Sequence, residues 1–175
     1  MDDRIANMLG ALVVALGDCV RAAVESTSGH GLSAAAALTT VAAYPGETLD
    51  ALRRTLGLSA PGASRLADRL QADGLIERQP GADDARSRVI VPTDAGHARA
   101  RAALDARHAA LVRALTPLSA DERDQLAHLL EVMLSALTPD RETCDHTCRL
   151  CDIATCPQHI CPVELAALRS ETRGA

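Results

Sequence analysis

The sequence predicts a mainly α-helical chain with one short β-hairpin set among its helices and a cysteine-rich segment behind the last long helix. Three observations lead there. Apolar residues recur at three- and four-residue steps near both ends of the body, the signature of amphipathic helices. Two β-prone runs, at 75–78 and 88–91, flank the turn-forming stretch Pro80-Gly81-Ala82-Asp83-Asp84. Tyr44 is the one aromatic residue among 175, so Ala, Leu and Val must build the core, and such a core favours packed helices. That length suits one domain of ordinary size with a tail.

Ile5, Met8, Leu9, Leu12, Val13, Leu16, Val20, Ala23 and Val24 form a wide apolar stripe, which predicts a first helix over about 4–25. Ser26-Thr27-Ser28-Gly29-His30-Gly31 breaks it, and Ser33 is placed to cap an alanine-rich second helix that ends before Tyr44-Pro45-Gly46. A short third helix follows near 49–56. Gly57-Leu58-Ser59 then makes a tight turn, with Ser59 as N-cap and Pro61 tolerated in the first turn of a fourth helix that ends at Asp73-Gly74. Behind the hairpin, Thr93 caps a long fifth helix to about 116. Ser119 and Glu122 have capping-box spacing ahead of a sixth helix, carried by Leu126, Leu129, Leu130, Met133, Leu134 and Leu137 and ended by Pro139.

Charge narrows the function classes. The formal net charge is -5, and all 18 basic residues are arginine. Globally this argues mildly against a nucleic-acid partner, yet residues 50–90 hold seven Arg against six Asp and Glu, which makes the middle of the chain its least acidic part. Without aromatic side chains there are no stacking platforms for single strands, so duplex DNA is the nucleic acid to consider. No uninterrupted apolar run reaches the roughly 18 residues of a membrane span, and Met1-Asp2-Asp3-Arg4 lacks the basic start of a signal peptide. These features predict a cytoplasmic protein with no membrane partner, in whose reducing surroundings the six cysteines stay thiols or bind metal.

Two short helices, a glycine-containing turn and a hairpin follow one another in the order of a winged helix-turn-helix. The residues 48–52, 58–70, Asp73-Gly74-Leu75-Ile76-Glu77-Arg78, Asp84-Ala85-Arg86-Ser87-Arg88 and Thr93-Asp94-Ala95-Gly96 together resemble the MarR family of bacterial regulators over about 5–137. The resemblance implies a winged-helix domain at 1–138, with a reading head at about 33–96 and dimerisation helices at about 4–25 and 94–138. Its DNA-contacting set would be Ser59, Pro61, Gly62, Ala63, Ser64, Arg65 and Arg69 on the recognition helix, with Arg86 and Arg88 on the wing. Small residues at a helix N-terminus suit close approach to base edges, Arg65 can reach a guanine edge or a phosphate, and Arg69 suits the backbone. Arg86 stands where the family inserts an arginine into the minor groove, with Asp84 to orient it. Pro92 replaces the leucine usual before the threonine, a departure expected to shorten the second wing strand.

One reading head contacts too few base pairs to be selective, so the resemblance implies a homodimer on a pseudo-palindromic operator. The apolar stripes of the first and last helices supply its contact surface. The expected activity is transcriptional regulation, as a repressor and with no enzymatic step, while a small-molecule or redox effector is left open.

From 139 to 175 the composition changes. Five of the six cysteines fall within residues 144–161, and Cys148, Cys151, Cys156 and Cys161 give C-x2-C-x4-C-x4-C. Four thiolates satisfy tetrahedral zinc or an iron–sulfur cluster; proline directly after Cys156 and Cys161 tilts the choice slightly to iron–sulfur. Cys144 is the reserve ligand, with His146 and His159 behind it. A centre there would sit outside the reading head and act on dimer geometry. Cys19, among apolar neighbours on the first helix, reads as a small core residue. The contrasting function class is a metal or iron–sulfur redox adaptor that binds no DNA, and Arg65, Arg69 and Arg86 discriminate, since only a DNA-binding protein needs them.

Overall fold

The computed structural model describes residues 3–81 and 88–174. In chain order these form α1 (Asp3–Ser28), α2 (Leu32–Ala43), β1 (Glu47–Thr48), α3 (Leu49–Leu56), α4 (Ala60–Ala72), β2 (Ile76–Pro80), β3 (Arg88–Pro92), α5 (Asp94–Leu115), α6 (Ala120–Ala136), α7 (Arg141–Cys148), a 3₁₀ turn (Gln158–Ile160) and α8 (Pro162–Gly174). The mainly helical winged helix-turn-helix expected from the sequence is therefore present.

Most helix boundaries follow from local chemistry. The Ser59 hydroxyl accepts from the Gly62 amide at 3.3 Å, the Thr93 hydroxyl accepts from the Gly96 amide at 3.0 Å, and Ser119 with Glu122 forms a complete capping box. Gly57 ends α3 at φ 64°, a left-handed conformation that costs glycine nothing and sets the sharp turn into α4.

Several expectations are corrected. The sheet has three strands in the order β1-β3-β2, because Glu47 and Thr48 pair antiparallel with Ile90 and Val89 on the outer side of β3. Pro92 does not shorten the second wing strand; it is the last residue of β3, paired with Ile76. Its missing N–H falls at the strand end, where it is tolerated. Helix α2 starts at Leu32 with Gly31 at the cap position and no side-chain cap bond, so Ser33 lies inside the helix. Among the described residues there are eight α-helices where about six were expected, because the cysteine segment contributes α7 and α8.

The reading-head core is built around Leu38, Leu52, Leu66, Leu70, Ile76 and Ile90. Each such side chain, fully buried, stabilises the fold by about 1.5–3 kcal/mol relative to exposure. A second cluster, Val24, Ala35 and Ala103, joins α1 to α2 and α5. Alanines at this junction let the three helices approach closely.

The N-terminal part of α1 has no such cover. Ile5, Met8, Leu9, Leu12, Val13 and Val14 are exposed, as are Leu129, Leu130, Val132, Met133 and Leu137 at and just beyond the C-terminal half of α6. By length and composition α1 could cross a membrane, contrary to the expectation from uninterrupted runs; it tolerates Asp18 and Arg21, which pair at 2.9 Å on its surface. Its C-terminal part packs on α5, which identifies it as an element of this helical body. Cys19 is exposed on α1, not a core residue, since no described element covers that face.

The wing is fastened to α5 by one tight contact. The Thr93 hydroxyl donates to the Gly74 carbonyl at 2.7 Å, the Thr93 amide donates to the Leu75 carbonyl at 3.1 Å, and a Cβ on Gly96 would stand 2.0 Å from that same Leu75 oxygen. Gly96→Ala is therefore expected to lower the unfolding free energy by about 3 kcal/mol, the upper range for overpacking. Urea denaturation measures it, and a loss below about 0.5 kcal/mol, the usual span of neutral surface changes, would show that the start of α5 yields.

Candidate nucleic-acid interface and cysteine chamber

Helix α4 buries one face and shows the other. Ala63, Leu66, Ala67 and Leu70 point inward at steps of three and four, so Pro61, Arg65, Asp68 and Arg69 are left outside. Ser59 is exposed and Gly62 and Ser64 are half-exposed at the N-terminal end, where a groove-binding helix presents its contacts. Ala63 is corrected from a DNA contact to a core residue, with 2% of its surface exposed. The small-residue pattern that suggested it also suits packing, and its phase with Leu66 and Leu70 decides the matter.

The carboxylates of Asp50 on α3 and Asp68 on α4 are already engaged. Asp50 pairs with Arg53 at 3.0 Å and also with Arg54, and its carboxyl is held below the ordinary range chiefly by the Arg53 hydrogen bond. Asp68 pairs with Arg78 of β2 at 2.7 Å, and Arg78 also donates to Gln71 at 3.0 Å, which fixes the wing's first strand to α4. Arg65 and Arg69 remain exposed, one turn apart on the same face. Arg88 is exposed at the start of β3, opposite Pro80. Arg86 and Asp84 lie outside the described residues.

The cysteine segment is packed into the body, which corrects the expectation that it sits apart from the reading head. Asp140 caps α7 by accepting from the Thr143 amide at 2.8 Å, and α7 lies against α3, where the His146 Nδ1 donates to the Thr55 carbonyl at 3.0 Å. Leu150 packs against both the reading-head core and the α1–α2–α5 junction. Arg101 of α5 reaches Asp152 at 2.8 Å, and the Gln158 amide donates to the Tyr44 hydroxyl at 3.1 Å. Helix α8 rests on α6 and α7 through Val163 and Ala167. Arg141 closes this layer with ion pairs to Glu164 at 2.7 Å and Glu171 at 2.8 Å.

Between these elements lies a cavity of about 430 Å³, lined by Cys144, Cys148, Cys151, Cys156 and Cys161 from the tail and by Thr39, Thr40 and Tyr44 from the reading head. All four proposed ligands thus open onto one chamber. The neighbouring Cys148 thiol lowers the Cys151 pKa, and Cys151 in turn raises that of Cys148; Arg107 and Arg149 further favour the Cys151 thiolate. Cys156 is raised to about 11 by burial and by the neighbouring Cys161 thiol. Cys144 is also raised to about 11, by burial and then by Glu164, whose carboxylate accepts from its thiol at 3.5 Å. His146 is engaged by Thr55, and His159 is exposed. Among the described residues, no three His, Cys, Asp or Glu side chains stand close enough together to hold one metal ion as they are.

Sequence reasoning missed the wall opposite the cysteines. Thr39 and Thr40 are buried, at 5% and 7% exposure, and their hydroxyls find no hydrogen-bond partner among the described residues. Nothing in the alanine-rich stretch 32–43 signals that two of its residues line a chamber completed by residues of the distant tail.

Residues 28–87 match the MarR family. Transcriptional repressor MprA of Escherichia coli is 37% identical over 82 residues, which cover 47% of each chain; the chain thus spans about half the length of the curated relatives it matches. The crystal structure of YusO from Bacillus subtilis aligns with a TM-score of 0.67 and 22% identity, over 76% of this chain and 94% of that one. A mutant of Staphylococcus aureus MepR bound to an oligodeoxyribonucleotide aligns with a TM-score of 0.58 and 21% identity, over 76% of this chain and 97% of that one.

Proposed function

We propose that this chain, whose residues 28–87 match the MarR family, is a sequence-specific, duplex-DNA-binding transcriptional repressor that works as a homodimer in the cytoplasm. The observation that carries this reading is α4, a capped helix with Arg65 and Arg69 on its open face and the neighbouring carboxylates of Asp50 and Asp68 already paired. Such a helix can enter the major groove with its arginines free for guanine edges and phosphates. Arg88, with Arg86 beyond the described residues, would contact the backbone and the adjacent minor groove from the wing.

Dimerisation is supported by the uncovered apolar residues of α1 and α6 at opposite ends of the chain. A twofold partner is the economical cover for both surfaces. The tail supplies the regulatory element of the proposal: its cysteines bind a metal centre, zinc or iron–sulfur, whose occupancy or oxidation alters DNA affinity. Support comes from the position of the tail, which contacts α3 through His146 and α5 through Asp152 and so can transmit a change to the reading head as well as to the dimer.

The reading is tested by mobility shift on the DNA flanking the gene. A duplex should be bound with an affinity that falls steeply with salt, as counterions are released on phosphate contact, and the matching single strand should bind far more weakly. Equal affinity for both would remove the proposal.

A further inference from the structure

We propose that His30 is a positioning residue for DNA recognition: its ring ties the end of the recognition helix to the helices that carry the dimer surface, and so sets how far apart the two copies of α4 stand on the operator. The proposal rests on the reading of this chain as a dimeric, duplex-DNA-binding regulator and adds the side chain that transmits dimer geometry to the reading helix.

His30 lies in the short link between α1 and α2. Its backbone is fixed first. The Ser28 hydroxyl donates to the His30 carbonyl at 2.8 Å, and the His30 amide donates to the Ser28 hydroxyl at 3.2 Å. The ring then spans two acceptors: Nδ1 donates to the Ser28 carbonyl at 2.9 Å, and Nε2 donates to the Asp73 carboxylate at 2.9 Å. The doubly protonated ring makes both bonds together, and its bond to the carboxylate is charge-assisted. Asp73 is the C-cap of α4. The Ser28 carbonyl also accepts from Arg99 of α5, so that α1, α5 and the end of α4 meet at one point.

A fully exposed ion pair would contribute little. Here the His30 side chain is only 17% exposed and Ser28 is buried, so the junction is shielded from water on one side. The other tether of α4, Asp68 to Arg78 of β2, stays within the reading head. The His30 bond leads out of it, to α1 and α5. A change in how those two helices cross therefore reaches α4 through this hydrogen-bond chain.

The test uses the full chain and its tightest-binding duplex. His30→Ala should weaken operator binding by about fivefold or more, the lower end of usual couplings between sites. His30→Gln, which keeps a donor where Nε2 stands, should restore most of that loss, whereas His30→Asn, whose amide serves only the Ser28 side, should not. Asp73→Ala should lose as much as His30→Ala, and the two together no more than either, since both act through one bond. A loss of fold stability alone would leave the preferred half-site spacing intact. One base pair inserted between the half-sites turns one of them by about a tenth of a turn. The unchanged chain should bind that duplex more weakly than the operator, by a factor that shrinks in His30→Ala and in Asp73→Ala. Equal operator binding by His30→Ala and the unchanged chain, equal affinities of the Gln and Asn variants, or an unaltered spacing preference would overturn the tether and leave the repressor reading standing. Binding of the unchanged chain to single strand as tight as to duplex would overturn that reading and the tether with it.

Discussion

Replacing Arg65 with alanine is expected to weaken binding to the operator by about ten- to a hundredfold, the 1–3 kcal/mol typical of one good arginine–guanine contact, and to relax specificity at a single position of each half-site. The expectation follows from the geometry of α4. Arg65 is exposed, lies in the second turn and is not committed to the carboxylates that hold Arg53, Arg54 and Arg78. Arg69, one turn further on, should behave differently. Its loss weakens all sequences alike and reduces the salt slope by about 1, the signature of a phosphate contact. Binding titrations of both variants across a set of half-site substitutions separate the two roles. Equal affinity of Arg65→Ala and the unchanged chain would detach α4 from the groove.

A second large effect is expected from charge placed on α1. Leu12 and Val13 are 49% and 63% exposed, yet both belong to an apolar stripe that continues into the buried Val24. The stripe is thus half covered by this chain. With Leu12→Asp and Val13→Asp together, a twofold contact would have to bury two carboxylates from each copy, and each unpaired buried charge costs several kcal/mol. Sedimentation should show a monomer at micromolar concentration with unchanged helix content, and operator affinity should fall by more than about a hundredfold because one reading head engages one half-site. A variant that stays dimeric would place the interface elsewhere, with the apolar face of α6 as the remaining candidate.

The helix-turn-helix was legible because its signals are local. Ser59, Thr93 and Ser119 cap their helices by bonds spanning three residues, and Gly57 and Gly74 mark turns at positive φ. The third strand was not legible: two residues, Glu47 and Thr48, carry no alternation, and their pairing depends on where β3 happens to lie. Ala63 shows a different limit. Residue size suggested a groove contact, while the helical phase set by Leu66 and Leu70 turns it into the core. In the tail the cysteine spacing announced a centre, but α7 and α8 are short and lack a clear apolar period, so neither they nor their docking on α3 and α6 could be read from the chain. The chamber depends on that docking. Its threonine wall belongs to α2, and only the return of the tail to the reading head brings the two together.

The central claim, that two copies of α4 read successive grooves of one duplex, is tested most directly by a hydroxyl-radical footprint on the tightest-binding DNA. The account predicts two protected half-sites related by a twofold axis and separated by about one helical turn, roughly 10 base pairs centre to centre, with flanking protection where the wings meet the backbone. A single short protected patch, or protection with no twofold relation between its halves, would contradict it.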